Sequence, residues 1–329
     1  MQENNLTLVT GTPGWLGTRL VEVLRGKGRE VRSFVLNGMD ASYLRKLGSE
    51  IVYGDVKDRE SVKKAVKNVK TVFHCASVEH MKRAKECYEV NFKGTENLLK
   101  ESSKAGVKKF IFVSTVAARG VNVSRDAPLR EEDENRPYSH YGKSKNLAEK
   151  IVRDFHKSGK IKTIIVKPNW FYGPNLPEKT LFLVRMIKDG KPLMFGEGNT
   201  LKSMTYIDNV VDSLLLAEKS QIAEGETYLI ADQRPYTVRE IYEEIAKNLG
   251  VEIKPRHMPV VLSRICEKID ILLGKIGLHS GKIFSAGEIS RDMFVSIEKA
   301  KKELGYEPRI GLEEGMSKAI EWCKENNAI

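Results

Sequence analysis

Cysteine and histidine are too few and too scattered in this chain to build a covalent or metal framework. The four cysteines, Cys75, Cys87, Cys266 and Cys323, form no C-x-x-C pair. Neither a disulfide scaffold nor a zinc site is expected, and a reducing, cytoplasmic setting fits. The six histidines show no H-E-x-x-H or related ligand spacing, so no catalytic metal is expected. No apolar run reaches the roughly 18–20 residues of a membrane span. The opening MQENNLTLVT lacks a basic region followed by an apolar stretch, so no secretory signal is expected. Internal repeats, low-complexity segments and flexible linkers are absent as well. What is present is a composition of 41% hydrophobic and 30% charged residues, which suits a soluble globular protein. The net charge of +11 is concentrated in stretches such as KKAVKNVK (63–70). No aromatic-basic recognition motif accompanies it, so a solvated lysine-rich surface, and no nucleic-acid partner, is the reading.

Six short apolar runs recur through the first half: LTLVT (6–10), VRSFVL (31–36), IVYGD (51–55), TVFHCAS (71–77), KKFIFVST (108–115) and TIIVKP (163–168). Helical patterns lie between them, as in WLGTRLVEVLRGKG (15–28). Strands separated by helices predict right-handed crossovers and an α/β fold, a Rossmann-type doubly wound parallel sheet. After about residue 170 the pattern changes. Loops such as FGEGNT mix with a shorter strand, ETYLIA (226–231), and a helix, VREIYEEIAKNLG (238–250). This predicts a dinucleotide-binding domain over 1–170 and a smaller C-terminal α/β substrate lobe over 171–329. Some later segments are expected to return to the first domain.

TGTPGWLG (10–17) follows the first strand and opens a helix. Gly11 allows a sharp turn, Gly14 leaves room for a pyrophosphate, and Gly17 permits close helix–strand packing. The helix N-terminus adds free N–H groups and a positive dipole end. The spacing is G-x-x-G-x-x-G, and no G-K-[ST] follows, so it is not a Walker loop. Tyr141 and Lys145, in YSHYGKSK (138–145), stand four apart on a predicted helix and share one face. A tyrosine is a poor base near its ordinary pKa of about 10. A neighbouring ammonium is expected to lower that value, making Tyr141 a general acid–base. Tyr138 and Lys143 fail this spacing and read as local surface. Ser139 and Ser144 read as capping or decorating the helix.

The ordered set of motifs resembles the extended short-chain dehydrogenase/reductase family, also known as the epimerase/dehydratase family. TGTPGWLG is similar to its TGxxGxxG loop, GD (54–55) to its adenine-contacting motif, and VFHCAS (72–77) to its VFHLAA segment. VNFKGTENLL (90–99), YGKSK (141–145), KPNWFYGP (167–174), TYIDNVV (205–211) and KAKKELGYEP (299–308) follow in order. The resemblance implies a cofactor site of Gly11, Thr12, Pro13, Gly14, Trp15, Leu16, Gly17, Asp55, Val56, Cys75, Ala76, Ser77, Lys145 and Pro168. It also implies a catalytic set of Tyr141, Lys145 and Thr115, with Asn91 supporting the site or a proton relay. Ser114 is the alternative to Thr115, and strand alternation lets one of the two reach the substrate. The turn after the second strand offers Val35, Leu36 and Asn37 and no acid for a ribose hydroxyl, which favours NADP(H) over NAD(H).

Within that family the pattern lies nearest the 3β-hydroxysteroid dehydrogenase-like and dihydroflavonol reductase-like branch. Sugar-nucleotide epimerases of the family carry two arginines that grip a diphosphate. Here Lys202 stands at the first place, and SAGEISRDM (285–293) leaves the second lost; Arg291 could compensate but aligns elsewhere. The leading expectation is an NAD(P)-dependent oxidoreductase interconverting a secondary alcohol and a ketone on a hydrophobic or small substrate. A nucleotide-sugar 4-epimerase is the alternative. A non-catalytic dinucleotide sensor is a third reading, disfavoured because both Tyr141 and Lys145 are kept. The apolar stretch HMPVVLSRICEKIDILLGKIGL (257–278) is expected to line a substrate pocket, to touch a membrane interface or to pack as an ordinary helix. Helices around 82–103 and 141–158 imply, by the same resemblance, a homodimer.

Overall fold

A computed structural model describes residues 5–79, 83–278 and 280–329. Its centre is a parallel sheet of seven strands. Six come from the first half: β1 (Thr7–Thr12), β2 (Val31–Val35), β3 (Glu50–Tyr53), β4 (Thr71–His74), β5 (Lys109–Val113) and β6 (Lys162–Pro168). The seventh, Thr227–Ile230, comes from the C-terminal half and pairs with β6. From that strand the order runs β6-β5-β4-β1-β2-β3. The chain reverses its winding between β1 and β4, which opens a crevice at the C-terminal ends of these strands.

Both faces of the sheet are covered, so its central strands bury the side chains of both faces rather than alternating between core and solvent. Val9, Phe73, Ile111 and Ile164 point into one core. Leu8, Val72, Phe110 and Ile165, one residue removed, point into the other. All eight are at most 1% exposed. The period of two therefore sends every second side chain to the opposite layer.

Three helices position the site. The first (Trp15–Gly26) starts directly from the glycine turn. The tyrosine helix (His140–Lys157) is capped by Ser139, whose hydroxyl accepts from the Gly142 amide at 3.0 Å. The roof helix (Val260–Lys275) belongs to the C-terminal half and packs on a shorter helix, Gly281–Glu288.

The later family-like motifs tie the C-terminal half together beside the seventh strand. Asn209 donates to Asp232 at 3.1 Å and to the Ile310 carbonyl at 2.7 Å. The Tyr172 hydroxyl donates to Asp232 at 2.8 Å, and the Tyr306 hydroxyl to the Ala231 carbonyl at 3.0 Å. Burial lifts the Asp232 carboxyl to about 6. This is a structural joint, because its polar groups are occupied by one another.

Candidate active site

The glycine turn closes on itself. Gly11 has a φ of +82°, and a Cβ there would sit 2.6 Å from the Cys75 carbonyl carbon and the Ala76 nitrogen. A Cβ on Gly14 or on Gly17 would meet the Gly11 carbonyl oxygen at 2.6 Å. Gly14, expected to leave room for a pyrophosphate, also has no space for a side chain against its own loop. The same packing brings β1 against the segment after β4, where the Ala76 amide donates to Thr10 Oγ1 at 3.2 Å.

The first helix fits an anionic group at its start. Its N-cap is Gly14, no side chain caps it, and its first turn has no acid. The N–H groups of that turn are therefore unmet by any capping side chain, at the positive end of twelve residues of helix dipole. Gly14 is exposed, Gly11, Pro13 and Trp15 are partly buried, and Thr12, Leu16 and Gly17 are buried. Thr12 Oγ1 donates to the Phe34 carbonyl at 3.1 Å, and Leu16 is part of the core, so these two offer backbone at most. Trp15 Nε1 donates to the Pro174 carbonyl at 2.6 Å, tying the turn to the loop that follows β6.

Asp55 lies just past β3, half-buried, with its Oδ1 accepting from the Lys57 amide at 2.9 Å. Val56 packs under Gly94, where a Cβ would meet Val56 Cγ2 at 2.6 Å. Pro168 ends β6 opposite Ile230. Beyond β2, Leu36 to Asp40 are exposed. Asp40 is the acid of that turn, and its carboxylate is bonded to the Ser42 amide and hydroxyl at 2.8 Å each. Arg32 is occupied below the strand by the Ala65 and Lys67 carbonyls, both at 2.7 Å. Arg45 lies over the Tyr53 ring at 5.7 Å.

Tyr141 and Thr115 are brought together at the ends of the tyrosine helix and β5. The Tyr141 hydroxyl is hydrogen-bonded to the Thr115 and Ser77 side chains. Thr115 Oγ1 also accepts from the Ala117 amide at 3.2 Å, which orients it. Ser114 points the other way, donating to Glu149 Oε1 at 2.5 Å. Asn91 stands in a π-helical stretch, Tyr88–Gly94, of the kind that often marks functional positions. Its Oδ1 accepts from Ser77 Oγ at 3.2 Å and from the Val78 amide at 2.8 Å. Its Nδ2 donates to the Val78 carbonyl at 2.9 Å and to Ser144 Oγ at 3.0 Å. Ser144 in turn donates to the Tyr141 carbonyl at 2.8 Å. It is fully buried and bridges Asn91 to the tyrosine helix, which corrects its reading as decoration.

Lys145 is 1% exposed. Its ammonium donates to the Val113 carbonyl at 2.7 Å and sits 4.1 Å from the Phe112 ring centre. Burial lowers its pKa to about 7, and the Glu149 carboxylate works against that fall. The expected lowering of the Tyr141 pKa does not occur in this arrangement. Burial, then the Glu79 carboxylate, raises the phenol above its ordinary value, while Ser77 and Thr115 pull the other way. Burial is the larger cause, and the Lys145 ammonium donates to the Val113 carbonyl. Tyr141 is held here as a neutral proton donor.

Behind these groups lie two networks that sequence reasoning missed. His74 is fully buried between Thr10 Oγ1 at 2.7 Å and Thr95 Oγ1 at 2.9 Å. Thr95 spends its own proton on the Asn91 carbonyl at 2.6 Å, so it accepts from His74 Nε2, and Nδ1 accepts from Thr10. Burial keeps this imidazole neutral, with a pKa near 3, and pushes the neighbouring Cys75 thiol up to about 12. The second network continues the tyrosine helix: Tyr141, Lys145, Glu149 and Arg153 follow at four-residue steps. Glu149 pairs with Lys167 Nζ and with Arg153 Nη2, both at 2.8 Å. The four-residue series was visible in the sequence, and its partner on β6 was not.

The roof helix covers the phenol side. Tyr141, Glu79, His140, Asp270, Gly274 and Phe284 line a cavity of about 20 Å³. Tyr138, read as surface, lies at this seam instead. Its hydroxyl donates to Glu288 at 3.1 Å and its ring stacks 6.3 Å from Phe284. Lys143 is exposed. The two cations considered for a diphosphate are both engaged. Lys202, 1% exposed, donates to the Glu288 and Arg291 carbonyls at 2.9 and 2.7 Å, with its pKa lowered to about 8 by burial. Arg291 forks onto Glu267 of the roof helix at 2.7–3.0 Å.

A glycine turn at the strand-order reversal beside a tyrosine–lysine helix defines a dinucleotide-dependent oxidoreductase class. Residues 8–260 match the model of the 3-beta hydroxysteroid dehydrogenase/isomerase family, and the chain belongs to that family. It is an enzyme of the extended short-chain dehydrogenase/reductase type, whose cofactor is a nicotinamide dinucleotide. An uncharacterized protein of Sinorhizobium fredii is 34% identical, over 98% of this chain and 96% of its own. The sterol-4-alpha-carboxylate 3-dehydrogenase (decarboxylating) of Bos taurus is 28% identical, over 95% and 90%. The UDP-glucose 4-epimerase of Thermotoga maritima, solved with UDP-glucose, superposes with a TM-score of 0.81 at 25% identity, over 98% and 99%. MoeE5, solved with UDP-glucuronic acid and NAD, superposes with a TM-score of 0.77 at 25% identity, over 97% and 99%.

Proposed function

We propose that the protein interconverts a secondary alcohol and a ketone on a hydrophobic or small substrate. The observation that carries this reading is the Tyr141 phenol, hydrogen-bonded to Thr115 and Ser77 at the end of β5, with Lys145 one turn along the same helix. A nicotinamide dinucleotide bound at the glycine turn supplies the hydride donor or acceptor. In the reducing direction Tyr141, held neutral, gives its proton to the carbonyl oxygen as that oxygen gains charge. Thr115 holds the same oxygen through its hydroxyl, which favours the charge-developing state over the ground state. In the oxidising direction the phenol must first lose its proton, and a hydrogen bond from the Thr115 hydroxyl, whose own proton is free, stabilises the phenolate. Asn91 acts on this centre through Ser77 and Ser144, as a positioning residue.

The engagement of Lys202 and Arg291 favours this reading over a nucleotide-sugar 4-epimerase. A diphosphate would find one cation tied to two carbonyls and the other already forked onto a carboxylate. The turn after β2 offers Val35, Leu36 and Asn37 and no acid where one would grip a ribose 2′-hydroxyl, and this favours NADP(H) over NAD(H). Identifying the nucleotide that co-purifies with the protein, and titrating it with NADPH and NADH, tests both points. Saturable NADPH binding to protein that retains no nucleotide is expected. Stoichiometric, tightly retained NAD would overturn the reductase reading in favour of the epimerase.

Thr115→Val and Ser114→Ala separate the two candidate hydroxyls. Removing a donor to a charge-developing oxygen costs on the order of 10²–10³-fold in kcat. That loss is expected for Thr115→Val, together with about 0.5–2 kcal/mol of stability from the lost cap on the Ala117 amide. Ser114→Ala is expected to keep turnover within a few-fold and to lose about 1.5–3 kcal/mol of stability, the usual worth of a hydrogen bond to a charged group. Steady-state kinetics and urea unfolding of both variants check this, and the reverse pattern would reassign the site to Ser114.

A further inference from the structure

The roof helix has two faces with opposite tasks. Its inner face is fastened to the protein: Ser263 donates to the Ala286 carbonyl at 2.6 Å, Glu267 holds Arg291, and Gly274 sits against His140. Its outer face carries Val261, Ile265, Ile269, Leu272 and, just past its end, Ile276, all between 41% and 68% exposed. These residues are spaced by three, four or seven, so they form one stripe along the helix. Val260, Leu262 and Leu278 are also exposed beside it. A contiguous patch of this kind is uncommon on a protein that stays alone in water.

Cations outnumber free carboxylates around the stripe. Lys268 lies on the stripe itself, between Ile265 and Leu272, and is exposed. Lys254 and Arg256 are exposed just before the helix, and Arg83 is exposed beside Leu278, to which its backbone pairs. Of the three carboxylates in 252–278, Glu267 is engaged by Arg291 and Asp270 faces the cavity beside Tyr141. Glu252 is the exposed one. No helix of the described residues is long and apolar enough to cross a membrane.

We propose that this face docks on an anionic lipid bilayer, with the apolar stripe at the level of the acyl chains and the cations at the headgroups. A helix lying in the interface needs both parts, and a lysine within the stripe can reach the headgroups while its methylene stem stays among apolar neighbours. A second copy of the chain fits less well. A two-fold contact would set this cationic face against itself. The docking surface is independent of the roles assigned to Tyr141 and Thr115. It does put the membrane next to the reacting centre, since the same helix lines the cavity beside Tyr141.

Flotation of the full chain with phosphatidylcholine vesicles, with and without about a third phosphatidylglycerol, tests the proposal. Wild-type protein is expected to partition onto the anionic vesicles at least tenfold more than onto the neutral ones, and less at high salt. Ile265→Gln with Leu272→Gln is expected to lower that partition at least tenfold while thermal unfolding and dinucleotide binding stay unchanged. Lys254→Glu with Lys268→Glu, which keeps the apolar stripe, is expected to abolish the preference for anionic lipid. No partition onto either vesicle, or partition untouched by the glutamine variant, overturns the proposal. So does a wild-type dimer that the glutamine variant turns into a monomer without any vesicle binding, because the stripe would then cover a second copy.

Discussion

Tyr141→Phe is expected to lower kcat by roughly 10²–10⁴-fold, the usual worth of a positioned general acid–base. Dinucleotide affinity is expected to hold within a few-fold. The phenol touches Thr115 and Ser77, whereas the glycine turn and the uncapped first helix lie on a different element. Loss of an interaction made in the transition state lowers kcat and kcat/KM together. Steady-state kinetics and a fluorescence titration with dinucleotide check both halves. Turnover surviving within about tenfold would remove Tyr141 from the acid–base role. A phenylalanine keeps the ring in place, so the fold is expected to be undisturbed and thermal unfolding should match wild type.

Glu149→Ala is expected to lose about 3–5 kcal/mol of folding stability, because it strands a buried charge. Glu149 and Lys167 are both 0% exposed and lie 2.8 Å apart. The pair need not be worth that much in itself, since burying two ions carries a desolvation cost comparable to their attraction. The double variant Glu149→Leu with Lys167→Met is therefore expected to recover most of the loss. Guanidinium unfolding of the single and double variants checks this, and a double variant no more stable than the single one would refute the account. The pH dependence follows from the same network. Burial alone would raise the Glu149 pKa, but Lys167, with Ser114 and Arg153, brings it below the ordinary carboxylate value. The folded state thus binds this proton less readily than the unfolded chain. The stabilisation is complete above the ordinary glutamate pKa of about 4.3 and is lost as pH falls through the lower folded value. Acid unfolding of Glu149→Gln should accordingly show a flatter dependence below pH 5 than wild type.

Some of the site could be read from local pattern alone. A glycine turn after a strand reports its own geometry, because φ > 0 at Gly11 and the contacts of Gly14 and Gly17 with the Gly11 carbonyl all arise within seven residues. Tyr141 and Lys145 share a face because helical spacing is fixed at 3.6 residues per turn. The alternation of β5 likewise required Ser114 and Thr115 to part, although not which of them faces the phenol. Other features depend on segments far apart in sequence. Glu149 was one more charged residue on a helix until β6 brought Lys167 beside it, and Ser144 gained a purpose only from Asn91, 53 positions away. Lys202 looked like a weakened diphosphate grip, and long-range folding turned it toward the carbonyls of residues 288 and 291.

The sequence by itself determined the alternating strands and helices, the glycine turn and the tyrosine–lysine pair, because each obeys a short-range period or a steric rule. The tertiary structure decided the state of those groups. Burial lowers the pKa of Lys145, whose ammonium lies against Phe112 and the Val113 carbonyl, and burial beside Glu79 keeps Tyr141 protonated. It also decided which face of the roof helix looks inward at the reacting centre and which looks out. An apolar stripe reads the same in a sequence whether it is buried or bare, since exposure is a property of what packs against it.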